Sequence, residues 1–125
     1  MSDHETAMCA YVQLAVISDR KHQALERDRF YLLAAAEACR AGWLDVAERC
    51  REKLMAANPA HQIHRHDSMA DALRDADFQR IVAKWERRCP FEQAEHLLLQ
   101  LGLSAQGDLP EIPRGERMMQ LLADS

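Results

Sequence analysis

Hydrophobic residues recur along this chain at the spacing of helix faces. From about Thr6 to Ile17, Met8, Tyr11, Val12, Ala15 and Val16 fall on one side, and Cys9, Leu14 and Ile17 widen it. The pattern predicts a helix that must be covered over most of its circumference. Ser18 and Asp19 stand where a second helix could be capped, and the charged run RKHQALERDR leads into Phe30, Leu33, Ala34, Glu37, Ala38 and Ala41. Gly42 is a natural left-handed stop for that helix. A third helix, Trp43 to about Ala57, sets Val46, Ala47, Cys50, Leu54 and Ala57 against Arg49, Arg51, Glu52 and Lys53, and Pro59 prevents its continuation.

A polar segment, HQIHRHD, separates this part from the next stripe. Ser68 followed by Asp71 forms the pattern of a reciprocal helix cap. Met69, Ala72, Leu73 and Ala76 then continue into Phe78, Ile81, Val82 and Trp85, with a shift of register that predicts a bend near Asp75 to Asp77. Cys89-Pro90 ends the stripe, Pro90 suits the first turn of another helix, and Phe91, Ala94, Leu97, Leu98 and Leu101 run on to Gly102. SAQGDLPEIPRG lacks a stripe and reads as a linker before a short helix from Glu116 to Ala123. The expected organisation is a helical domain, 1–103, followed by a linker and short C-terminal helix, 104–125. The expected fold is all-α, a compact bundle of about five to six helices.

Composition agrees with helix, because Ala and Leu are abundant and only four Gly and four Pro occur. A length of 125 residues suits one domain with its own core. With 20 acidic and 16 basic side chains the net charge is −4, which gives no general attraction to nucleic acid or anionic lipid. The four cysteines, Cys9, Cys39, Cys50 and Cys89, are too far apart for the close pairs of zinc or redox motifs and read as buried, reduced thiols. The apolar run from Ala7 to Ile17 begins with acid and contains Gln13, so it resembles neither a secretory signal nor a membrane span. These features lead us to expect a cytoplasmic protein.

The segment FYLLAAAEACRAGWLDVAERCREKLMAANP reads as a helical hairpin. Residues 28–61 resemble the tetratricopeptide repeat, a helix-turn-helix unit of about 34 residues. Tyr31 falls at the family's aromatic position, Ala34, Ala35 and Ala38 at its close-packing positions, Gly42 at its turn, Ala47 at the small contact of its second helix and Pro59 at its terminal proline. Arg51 stands where the family prefers an aromatic and Leu54 where it prefers Ala. Continuing the same period places Ala76, Ile81 and Gln93 at the glycine, alanine and proline sites, so one repeat alone is matched. The resemblance implies binding of a protein or peptide in a concave groove.

Two clusters carry candidate chemistry. Arg80, Lys84, Arg87 and Arg88 share a face of the helix bearing Trp85 and could meet an acidic peptide or a phosphate, although pairing with Asp77 and Glu86 would make them an ordinary solvated ion-pair network. His61, His64, His66 and Asp67 could gather around Zn or Ni, or respond to pH, and otherwise form a solvated loop. Trp85 is expected in the core and Trp43 partly exposed in the hairpin turn. Cys89 precedes a helix start that would lower its thiol pKa, with His96 further along, but no family signature or catalytic constellation surrounds it and a structural cysteine capping that helix is expected.

The expected function is therefore a non-catalytic protein-interaction or scaffold module. Tyr31, Ala35 and Arg51 on the hairpin and Arg80, Lys84 and Arg87 on the strip are its candidate binding residues, with no resident cofactor. The alternative is a metal- or pH-responsive regulator using His61, His64 and His66. The apolar first helix and the stripe of Met118, Met119, Leu121 and Leu122 both need cover, which either one supplies to the other within a chain or a second chain supplies in a homodimer.

Overall fold

A computed structural model describes residues 3–105 and 112–123 of the protein. The described residues form seven α-helices and no strand: α1 (His4–Arg20), α2 (Ala24–Ala41), α3 (Leu44–Ala57), α4 (Met69–Arg74), α5 (Ala76–Arg88), α6 (Phe91–Gln100) and α7 (Arg114–Ala123), with a 3-10 turn at Gln62–Arg65 between α3 and α4. Among them, no helix is long and apolar enough to cross a membrane.

α1 is the axis of the fold. It packs against α2, α6 and α7, and Ala7 to Val12, Leu14 to Val16 and Ser18 are all buried. A helix apolar over most of its surface has to be enclosed in this way, and each fully buried aliphatic side chain contributes about 1.5–3 kcal/mol. Polar groups on this axis find partners. The Tyr11 hydroxyl donates to the Cys89 carbonyl at 2.9 Å, fixing α1 to the junction of α5 and α6, and Gln13 Nε2 donates to the Ser104 carbonyl at 2.8 Å.

α2 and α3 form the antiparallel hairpin expected from the alanine-rich stretch. Ala34, Ala35, Ala36 and Ala38 have no exposure, and small side chains there let α2 lie close to its neighbours. Gly42 ends α2 at φ 86°, a left-handed turn that a side chain would resist, while its amide donates to the Cys39 carbonyl at 3.2 Å.

Ser18 and Asp19 do not cap α2. α1 extends to Arg20, so both residues are helical, and the carboxylate of Asp19 accepts from the Tyr31 hydroxyl at 3.0 Å instead. The chain turns through His22 at φ 58°, and the Gln23 amide returns to the Ser18 carbonyl at 2.9 Å.

The predicted bend near Asp75 is a full break. Asp75 adopts extended backbone at φ −84°, ψ 121°, closes α4 and accepts the Asp77 amide in its side chain to start α5. Dividing that stripe gives seven helices where an unbroken reading gives six. Ser68 Oγ accepts the Asp71 amide at 3.1 Å, as its sequence pattern predicted. Pro90 caps α6 from outside its first turn, and Gly102, at φ 75°, lies just beyond its end.

The boundary expected at residue 103 does not divide the packing. α7 contacts α1 and α3, Met118 and Leu122 have no exposure, and Arg114 Nη1 donates to Thr6 Oγ1 at 2.9 Å. Gly115 faces Trp43 so closely that a Cβ there would overlap the indole ring. The methionine-leucine stripe of the tail is covered by its own chain.

Candidate functional site

A cationic surface built around one tryptophan is the most distinctive exposed feature. α5 presents Trp85 toward the start of α2, and the ring is half buried instead of lying in the core as expected. The guanidinium of Arg29 lies 4.3 Å from the ring centroid, the Lys84 ammonium 5.0 Å and the Arg88 guanidinium 5.2 Å. Each position suits attraction between a cation and the negative face of the ring. Arg87 is exposed on the same helix.

The charges of this face are not neutralised locally. Among the described residues, Arg29, Lys84, Arg87 and Arg88 have no carboxylate within ion-pair distance. The nearby acids point elsewhere. Asp28 pairs with Arg27 at 3.0 Å and accepts from Asn58 at 3.0 Å, while Glu86 binds Arg40 at 2.6 Å. The expected network with Asp77 and Glu86 therefore exists only at Arg80, whose Nη1 is 3.3 Å from Asp77.

Beside Trp85 lies a cavity of about 180 Å³ lined by Leu25, Asp28, Arg29, Leu32, Asn58, His61 and Trp85. Leu25 is 68% exposed at its mouth, whereas Leu32 is 1% exposed at its base. This combination of apolar floor, aromatic wall and cationic rim was missed by the sequence reading. Its parts come from α2, the end of α3 and α5, and no linear spacing connects them.

The hairpin residues expected to meet a partner lie differently. Tyr31 and Ala35 have no exposure and belong to the core, because the face of α2 that carries them is covered by α1. Arg51 is held in place: Nε is 3.0 Å from Glu48 Oε1 and Nη1 donates to the His66 carbonyl at 3.2 Å. Glu48 in turn accepts the Met69 amide at 2.8 Å, so the pair ties α3 to the start of α4. Of the six candidates, Arg80, Lys84 and Arg87 are exposed.

The histidine loop is dispersed by its own hydrogen bonds. His61 Nδ1 accepts the Ile63 amide at 3.1 Å and starts the 3-10 turn. His64 Nε2 donates to the Asn58 carbonyl at 3.2 Å, and His66 sits 3.4 Å from Asp75 with its ring edge-on to Phe78. Among the described residues, no group of three or more His, Cys, Asp or Glu could hold a metal ion. Burial, followed by the repulsion of His64, lowers the pKa of His61 against the opposing pull of Asp28.

The thiols are suppressed by burial. Cys9 and Cys50 are each pushed up to about 12, and Cys89 is raised as well. Cys89 is a structural thiol, as expected, but it ends α5 and is desolvated, while Pro90 takes the cap of α6, so the helix start does not activate it.

A second cleft, of about 230 Å³, opens beside the start of α1 and contains Asp3, His4, Glu37, Glu86 and Glu92. Its central acid is already engaged. Glu37, 9% exposed, meets His4 at 2.5 Å and Arg40 at 3.1 Å. Comparison with protein families, curated proteins and solved structures returned no match for this chain.

Proposed function

We propose that this chain is a small helical protein-interaction module without catalytic activity, whose binding face is the surface around Trp85. In this reading α2 and α3 are a tetratricopeptide-like hairpin adapted to one compact bundle. α1 fills the hairpin's inner side, so binding moves to the outer side, where α5 crosses the beginning of α2. The observation that supports it is a half-buried tryptophan surrounded by unneutralised cations and bordered by an apolar-floored cavity. Aromatic and arginine side chains on an accessible face are the residue types that dominate binding energy at interfaces.

Site-specific photo-crosslinking in cells expressing the full chain tests this assignment. A photoreactive residue at Leu25, at the mouth of the cavity, should form adducts with a partner protein. The same residue at Leu44, which is 58% exposed on α3, should not. Adducts at neither position, at residue 44 alone, or equally at both would overturn the proposal.

A further inference from the structure

We infer that the ligand of this face is an acidic peptide segment with one apolar side chain, which enters the cavity beside Trp85 while its carboxylates meet Arg29, Lys84 and Arg88. The inference rests on the reading of the chain as a protein-interaction module and names the chemistry its partner must have.

Charge supplies the first argument. The protein carries a net charge of −4, yet Arg29, Lys84 and Arg88 are collected around one ring and lack carboxylate partners among the described residues. An incoming carboxylate would meet several unpaired positive charges at once, which attracts it. The two acids adjacent in sequence to this cluster cannot take that role without giving up existing partners, Asp28 with Arg27 and Asn58, Glu86 with Arg40.

Shape supplies the second. A cavity of about 180 Å³ floored by Leu32 and walled by Leu25 and Trp85 offers apolar surface to one aliphatic or aromatic side chain. Arg29 already lies over the tryptophan ring at 4.3 Å, so a nucleic-acid base would have to displace it in order to stack there. A peptide needs no such displacement. Its anchor enters beside the ring, and its acids approach Lys84 and Arg88, which are exposed.

Panning a library of random linear peptides against the full-length protein tests this chemistry. The selected sequences should place Asp or Glu around a single Leu, Phe or Trp. Their affinity should fall by at least about tenfold in the double variant Lys84→Glu with Arg88→Glu and should weaken as salt is raised. Both substituted side chains are exposed, and an unchanged circular dichroism spectrum verifies that the variant folds.

Selected peptides that lack acids but still require Trp85, lost in Trp85→Phe, would overturn the ligand chemistry and leave the interaction face in place. Peptides indifferent to Trp85, Lys84 and Arg88, or a library that yields none, would overturn both. A labelled oligothymidylate that binds with the same dependence on Lys84 and Arg88 would replace the acidic peptide with single-stranded nucleic acid.

Discussion

Individual residues set the tightest constraints on this molecule, and two glycines separate two kinds of constraint. Gly42 has φ 86° with open space around its Cβ position, so Gly42→Ala should cost only the left-handed conformation, about 1 kcal/mol in a urea titration. Gly115 has ordinary backbone but abuts the Trp43 ring, so Gly115→Ala should cost more, about 3 kcal/mol, by forcing α7 away from the hairpin turn. Equal costs would contradict the docking of α7. Gly42 was legible in the sequence because it ends an apolar stripe. Gly115 was not, because its need for close approach arises from a ring more than seventy positions away.

His61 adds a pH dependence of definite sign. Its pKa in the fold is lowered from the model-compound value of 6.5, so the unfolded chain takes up the proton more readily. Stability from this group is present above about pH 6.5 and is lost as pH falls through the lowered folded value. Protonation at Nδ1 would also remove the acceptor of the Ile63 amide. His61→Gln should therefore lose less stability than the parent between about pH 7.5 and about pH 5.5, measured by urea midpoints. A steeper loss in the variant would show that the sign is wrong.

Helices, as elements, were largely readable. Stripes, Gly42 and Pro59 located α2 and α3, Ser68 marked the start of α4, and a shift of register anticipated the break at Asp75. The failures share one physical origin, which is that amphipathic pattern shows that a face is buried but not against what. Tyr31 and Ala35 look like a groove lining when the hairpin is considered alone, yet α1 occupies that face. Met118 and Leu122 could from sequence cover the first helix or meet a second chain, and they complete the core with α1 and α3.

Removing α7 should consequently do more than trim a tail. A chain ending at Ser104 would expose apolar surface of α1 and Trp43 and lose the burial of Met118 and Leu122, together about 3–6 kcal/mol. It should melt at a clearly lower temperature and bind a hydrophobic dye such as ANS. An unchanged melting temperature without dye binding would contradict the packing of α7.

At the scale of the whole molecule, the candidate site was half visible. The cationic strip and Trp85 could be placed on one helix from spacing alone, but Arg29, Leu25, Asn58 and His61 join them only when α2 and the end of α3 come alongside α5. Local ion pairing was the natural expectation for the strip; it holds between Asp77 and Arg80 and is absent at Lys84 and Arg88, where Glu86 pairs instead with Arg40 of α2. Sequence spacing shows which charges are neighbours on a helix and leaves open which of them a second helix will claim.

The central claim is an accessible aromatic ring in a positive local field, and anion quenching of its fluorescence tests that directly. In a Trp43→Phe variant Trp85 is the sole tryptophan, so its emission can be titrated with iodide, with caesium and with neutral acrylamide at constant ionic strength. The account predicts that acrylamide quenches substantially and iodide severalfold more steeply than caesium, with the difference collapsing in Lys84→Glu with Arg88→Glu. Caesium matching iodide, or a ring that no quencher reaches, would contradict it.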